Sequence, residues 1–298
     1  MRRFCLALTM SVFLTGPALA DSGFPLLRNA QDSLLQGGLE KAIARLGLTR
    51  AIKGKTLAMA LVDITDTARP RYAALNGDEM MYAASLPKIA ILLGAFQRIA
   101  EGTLAYDQAT QNTLIKMIRN SSNQAASRML ALVGMPYLAQ LLQSARYHLY
   151  DPQRNGGLWV GRPYGKGPAW KRDPLHNLSH GATAFQVARF YYLLETGRLV
   201  SRDASSQMKT ILGEPAIKHK FVKGMAQLDP DARIYRKSGT WRAWHSDSAI
   251  IERDQHRYIA VALAESPQGG EWLTRIISAM DDVVFSAPQP AVRDVVLR

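Results

Sequence analysis

The sequence predicts an α+β fold: an antiparallel sheet flanked by terminal helices, with an all-helical region inserted into it. Three observations predict this. Strand patterns lie near the two ends, over residues 56–64 and 71–75 and again within 233–265; helical periodicity fills the middle; and a helical segment stands outside the strands at each end. With 298 residues, 47% of them hydrophobic, the chain can bury a sizeable core.

Residues 1–20 have the form of a removable secretory signal. Arg2 and Arg3 precede an apolar run over 4–14, followed by a breaker at Gly16-Pro17 and the small-x-small string Ala18-Leu19-Ala20. The apolar run falls short of the roughly 18–20 residues a membrane anchor needs and carries Thr9 and Ser11, and no later segment is long enough to span. The expected location is therefore periplasmic or secreted. Cys5, the only cysteine, lies inside this signal, which leaves the mature chain without disulfide or thiol chemistry. A formal charge of +13 suits anionic surfaces such as cell-wall polymers or phospholipid head groups, and suits plain solubility equally well. No basic and aromatic interleaved cluster points to nucleic acid, and a monomer is expected.

Taken in order, residues 26–46 read as an amphipathic helix interrupted at Gly37-Gly38, and 56–64 as a strand. Residues 71–75, a turn at Asn76-Gly77-Asp78 and residues 80–82 continue a meander into Ser85. Between 89 and 96 every residue is apolar or Gly, so the helix there has no polar face and belongs at the centre of the molecule, with Ser85 at its start. Helices are predicted over 113–133, 135–145, 183–195 and 204–212. Residues 151–180, rich in Gly, Pro and aromatics, read as a long functional loop. Strands at 233–240, 246–253 and 257–265, with a turn at Asp254-Gln255, lead to a closing helix over 271–285. This divides the mature chain into a discontinuous sheet domain, residues 21–84 and 203–298, and a mainly helical domain, residues 85–202, with a cleft between them.

Three polar strings stand out against this frame: Ser85-Leu86-Pro87-Lys88, Ser121-Ser122-Asn123 and Lys237-Ser238-Gly239-Thr240. Residues three apart on a helix share a face, so Ser85 and Lys88 can bring a hydroxyl and an amine together. A lysine followed by Ile89, Ala90, Ile91 and Leu92 is partly desolvated, which favours its neutral, basic form. Ser121 and Asn123 can relay a proton and hold an amide, and otherwise read as a polar N-cap cluster. On a strand, Lys237 and Gly239 face one way and Ser238 and Thr240 the other, and a strand glycine often marks close approach of a ligand or another backbone. Spacing alone proves little, because Ser206-Gln207-Met208-Lys209 repeats the first pattern in a polar helix without partners. Asp173, His176 and His180 lack the third ligand and helix face of a metal hydrolase, and no metal or cofactor is expected.

In this order the three strings resemble the penicillin-recognising serine enzyme superfamily, on its class A β-lactamase side, over nearly all of the mature chain. The resemblance implies that Ser85 is the acylated nucleophile, that Lys88 is a base in its activation, and that Ser121 passes the proton to the leaving nitrogen. It further implies that Asn123 binds the substrate's side-chain amide and that Lys237 stabilises negative charge. Ser238 and Thr240 would bind the substrate carboxylate, and the backbone N–H groups of Ser85 and Thr240 the oxyanion. Two departures qualify it. The Glu-Pro-x-x-Asn string carrying the deacylating base is echoed only by Asp173-Pro174-Leu175-His176-Asn177, and the path from Lys88 to Ser121 is shorter than the class A pattern. The expected function is an exported β-lactamase-type hydrolase acting on a β-lactam. The alternatives are a D-alanyl-D-alanine carboxypeptidase or transpeptidase acting on cell-wall peptide, and a slow-turnover penicillin-binding module.

Overall fold

A computed structural model describes residues 23–286, so the predicted signal at residues 1–20, Cys5 included, lies outside the described residues. The elements are α1 (Ser33–Arg45), α2 (Thr49–Lys53), β1 (Leu57–Asp63), β2 (Arg71–Leu75), β3 (Met81–Tyr82), α3 (Lys88–Ala100), α4 (Gln108–Arg119), α5 (Asn123–Val133) and α6 (Met135–Gln143). The short strands β4 (Tyr150–Asp151), β5 (Gly156–Gly157), β6 (Trp159–Val160) and β7 (His180–Ala182) come next. The chain continues through α7 (Ala184–Glu195), α8 (Arg202–Leu212), α9 (Phe221–Leu228), β8 (Arg233–Trp241), β9 (Trp244–Arg253), β10 (His256–Glu265) and α10 (Gly269–Ser286). No single helix among the described residues is long and apolar enough to cross a membrane.

The α+β expectation holds. Five strands form one antiparallel sheet in the order β2-β1-β10-β9-β8, with β1 and β10 in register from Leu57↔Ala264 to Asp63↔Tyr258. Strands far apart in sequence thus meet at the middle of the sheet. Both faces of β1 are covered, which is why it reads as an unbroken apolar run. Leu57, Met59 and Leu61 join a core with α1, α9 and α10, while Ala58, Ala60 and Val62 join a second core with α7 and the helices α3 to α6. The predicted interruption of α1 is absent: the helix runs through Gly37-Gly38, and a Cβ on Gly38 would lie 2.9 Å from Val283 Cγ1. That glycine is where α10 packs against α1.

Other boundaries differ for local reasons. The helix predicted over 113–133 is two helices, α4 capped by Asp107 and α5 capped by the Ser122 hydroxyl, with the break at residues 120–122. The long stretch 151–180 is not structureless. It contains β5 and β6, β4 pairs with β5, and a small sheet β3-β7-β6 ties its two ends to the segment before Ser85. Strands of two residues carry too little alternation to be read from sequence. Helix α7 packs on β1 and β10, and α8 on β8, so helices from both sides of the expected boundary at residue 202 cover the same face of the sheet.

Candidate active site

Ser85 precedes α3 in a tight turn, with Leu86 N–H donating to Ala83 C=O at 3.0 Å and Lys88 N–H to Ser85 C=O at 3.3 Å; the regular helix starts only at Lys88. Ala84 sits at φ +50°, a left-handed conformation that costs a non-glycine residue roughly 1 kcal/mol or more. This bend leaves Ser85 half-buried on the wall of a cleft of about 660 Å³.

The other motif residues converge on Lys88, which is fully buried. Its Nζ donates to Ser121 C=O at 2.6 Å and to Asn123 Oδ1 at 2.8 Å, and lies 3.4 Å from Ser121 Oγ. The ring of Tyr164 covers the same nitrogen, 4.6 Å from its centroid. Burial pushes the amine down to about 7. Ser121 is held at φ +55° between α4 and α5, which turns both its carbonyl and its hydroxyl toward Lys88. On its other side Lys237 Nζ donates to Ser121 Oγ at 2.9 Å and to Ser238 C=O at 2.6 Å. Burial first, and then the neighbouring charges of Lys88 and Arg236, depress Lys237 well below the ordinary lysine range.

The third string contacts the first through its glycine. A Cβ on Gly239 would lie 2.3 Å from Ala83 O and 2.7 Å from Ser85 N, closer than any side chain can sit, and Ser246 Oγ donates to Ala83 C=O at 2.8 Å. Asn123 and Thr240 line the cleft with Ser85, as do Trp241 and Trp244. Ser238 is buried on the strand beside them.

Asp173 is placed elsewhere. Tyr150 Oη donates to its Oδ1 and the His176 backbone N–H to its Oδ2 at 2.6 Å, so both carboxylate oxygens close the loop, and Asp173 does not line the cleft. Nor do the histidines near it converge. His176 Nε2 meets Asn155 Oδ1 at 2.8 Å, whereas His180 stacks on Tyr164 with centroids 4.2 Å apart. Burial lowers His180 to about 4. The described residues contain no group of three His, Cys, Asp or Glu able to hold a metal. The repeat of the first pattern at Ser206 is structural, since Lys209 pairs with Glu195 and Glu252 at 2.7 Å each.

One residue of the site, Lys220, escaped the sequence reading. Lys220, buried at the start of α9, donates to Gly239 C=O at 2.6 Å, Thr240 Oγ1 at 2.7 Å and Ser246 C=O at 3.2 Å, and so ties the end of the third string to β9. Its backbone is at φ +52°, and burial lowers its amine to about 8. Tyr164, inside the long loop, is fixed by Ser127 Oγ donating to its carbonyl at 2.6 Å, which puts its ring over Lys88. Lys220 stands in no recognisable string.

Comparison with known proteins bears on the family and the fold. A family model described as the β-lactamase enzyme family matches residues 38–113 and 110–285. A search of curated proteins finds no match. Among solved structures, a β-lactamase from Sphaerobacter thermophilus superposes with a TM-score of 0.65 at 17% identity, covering 85% of this chain and 99% of that one. PBP-A gives 0.65 at 17% identity, covering 88% and 98%. A representative class A β-lactamase from Bacteroides cellulosilyticus gives 0.63 at 16%, covering 85% and 98%. A PBP-A mutant in acyl-enzyme complex with penicillin G is also similar, with a TM-score of 0.64 at 18% identity, covering 86% of this chain and 97% of that one.

Proposed function

The chain belongs to the β-lactamase enzyme family, and on that premise we propose that it is an exported serine hydrolase that opens an amide by forming an acyl-enzyme at Ser85. The observation that carries this reading is one continuous network, running from Asn123 through Lys88 and Ser121 to Lys237, which reaches the cleft lining at Asn123, where Ser85 also stands. A neutral amine has two N–H groups and one lone pair. In Lys88 the two short bonds, to Ser121 C=O and Asn123 Oδ1, use both N–H groups and leave the lone pair free to take a proton. Ser85 Oγ attacks the carbonyl carbon as its proton passes to Lys88; Ser121 Oγ, polarised by Lys237, hands a proton to the leaving nitrogen as the C–N bond breaks. The backbone N–H groups of Ser85 and Thr240 receive the oxyanion. Thr240, held by Lys220, and Lys237 attract the substrate carboxylate.

A second observation bears on the fate of the acyl-enzyme. No carboxylate lines the cleft among the described residues, and Asp173 is engaged by Tyr150 and His176. A water therefore lacks the acidic partner that would activate it, and the acyl-enzyme is long-lived. This favours a peptidase or a slow-turnover penicillin binder over a fast β-lactamase, in line with the acyl-enzyme recorded for the PBP-A mutant. Intact-mass spectrometry of the mature protein after exposure to penicillin G tests both statements. A covalent adduct that persists for hours on the wild type and is absent from Ser85→Ala is expected. No adduct together with no consumption of drug would end the acyl-enzyme reading, and rapid clearance would end the slow one.

A further inference from the structure

Within the cleft, the wall supplied by the long loop is cationic. Arg162, Lys166 and Arg172 line it beside Ser85 and Asn123, and among the described residues none of the three forms an ion pair. Among the described residues the most deeply buried guanidinium groups pair with carboxylates, Arg71 with Asp63 at 2.6 Å and Arg236 with Asp247 at 2.7 Å. Arg162 departs from this pattern. It is half-buried, its Nη2 reaches only a carbonyl, that of Gly165 at 3.3 Å, and its Nε is a buried donor without an acceptor. A buried donor left unmatched is destabilising, and on a cleft wall it is placed to receive an acceptor carried by a ligand. Arg172 contributes from the same loop, with one N–H on Asn177 C=O at 3.1 Å. Arg162 and Arg172 line the cleft together with Tyr82 and His180, and His180 Nε2 meets the Arg162 carbonyl at 3.0 Å. A guanidinium fork fits a carboxylate through two parallel N–H···O bonds.

We propose that this wall binds a second carboxylate, carried on the acyl side of the scissile amide, so that the preferred substrate is a dianion. One anionic group lies at Thr240 and Lys237 and the other at Arg162 and Arg172. The proposal rests on the acyl-enzyme reading for the identity of the scissile bond, and its test separates the two. Ser85→Ala, which cannot be acylated, is titrated calorimetrically with penicillin G and with its α-carboxylated analogue carbenicillin, and in parallel with N-acetyl- and N-succinyl-D-Ala-D-Ala. About tenfold tighter binding of the carboxylated member of at least one pair is expected at low salt, falling to twofold or less when Arg162→Gln and Arg172→Gln are added. Which pair shows the preference distinguishes a lactam from a peptide source. Equal affinities within both pairs, no binding of any of the four, or a preference that persists in the double arginine variant overturns the proposal. A preference found alongside a wild type that gains no adduct would leave the dianion site standing and remove the acylation reading instead.

Discussion

Lys88 and Lys237 share one hydroxyl, that of Ser121, and burial weakens the charged form of both, so the site holds a basic amine at ordinary pH. This fixes the sign of the pH dependence. The free lone pair of Lys88 appears as pH rises through about 7, so the rate of Ser85 acylation should climb about tenfold per unit below that point and level off above it. A chromogenic cephalosporin followed by stopped flow across about pH 5 to 9 reads this; a flat profile would mean that Lys88 is not the base. Stability moves the same way. Unfolded, Lys88 titrates near 10.5, and folded near 7, so between these values the unfolded chain binds more protons and the free energy of unfolding rises with pH. Lys88→Met should flatten that rise in urea titrations repeated across the window, and an unchanged slope would assign it to another group. Asp173 makes the opposite kind of prediction. With its oxygens closing the loop, Asp173→Asn should lower stability by about 1–2 kcal/mol and leave the lifetime of the acyl-enzyme within about twofold. An acyl-enzyme whose decay slows a hundredfold in this variant would restore Asp173 as the deacylating base.

Among the elements, β8 and the turn before α3 depend on each other. Gly239 lets the strand come against the Ala83 carbonyl and the Ser85 N–H, while Lys220 fastens the strand from its other side. Gly239→Ala has no flexible neighbour to displace at its closest contact, because the atoms of Ala83 and Ser85 that it meets are backbone. It should cost about 1–3 kcal/mol and reduce acylation by about a hundredfold, since errors near an ångström at a reacting centre are that expensive. Thermal denaturation and adduct formation read the two effects, and a folded variant that is acylated at the wild-type rate would show that the contact does not position Ser85. The same contrast explains what could be read in advance. β1, β9, β10 and α3 are long, and their apolar runs follow directly from burial on both faces, so fold class and sheet were legible, as were the residues of the three strings. The break at Ser121 was blurred because the polar residues 120–122 also fit a helix surface. Lys220 was missed because it reaches the site only through contacts with residues far away in the chain, those of β8. Asp173, offered only by an echo of the Glu-Pro-x-x-Asn string, lies in surroundings, Tyr150 above all, that the sequence does not display.

Charge is distributed over the whole molecule in a way that its total does not convey. The chain has 37 Lys and Arg against 24 Asp and Glu, a net +13 that by itself implies solubility or affinity for anionic polymers equally. The structure divides the acids from the site. Asp63, Asp247, Glu195, Glu252 and Asp281 are committed to arginines and lysines of the sheet and its covering helices. The cleft meanwhile gathers Arg162, Lys166 and Arg172, with no acidic residue among the described residues that line it. Low-dielectric walls carrying one sign of charge concentrate ligands of the other sign and raise encounter rates, and that advantage shrinks once the Debye length, about 10 Å at 0.1 M salt, falls below the width of the cleft mouth. The efficiency of acylation at low substrate should therefore fall about three- to tenfold between low and roughly 0.5 M salt, and more steeply for a dianionic substrate than for a monoanionic one. Acylation measured at saturating substrate should change little, because the buried network around Ser121 is screened far less than the cleft mouth. If instead both regimes respond alike, or neither responds, the excess positive charge serves solubility and the cleft does not steer its ligand.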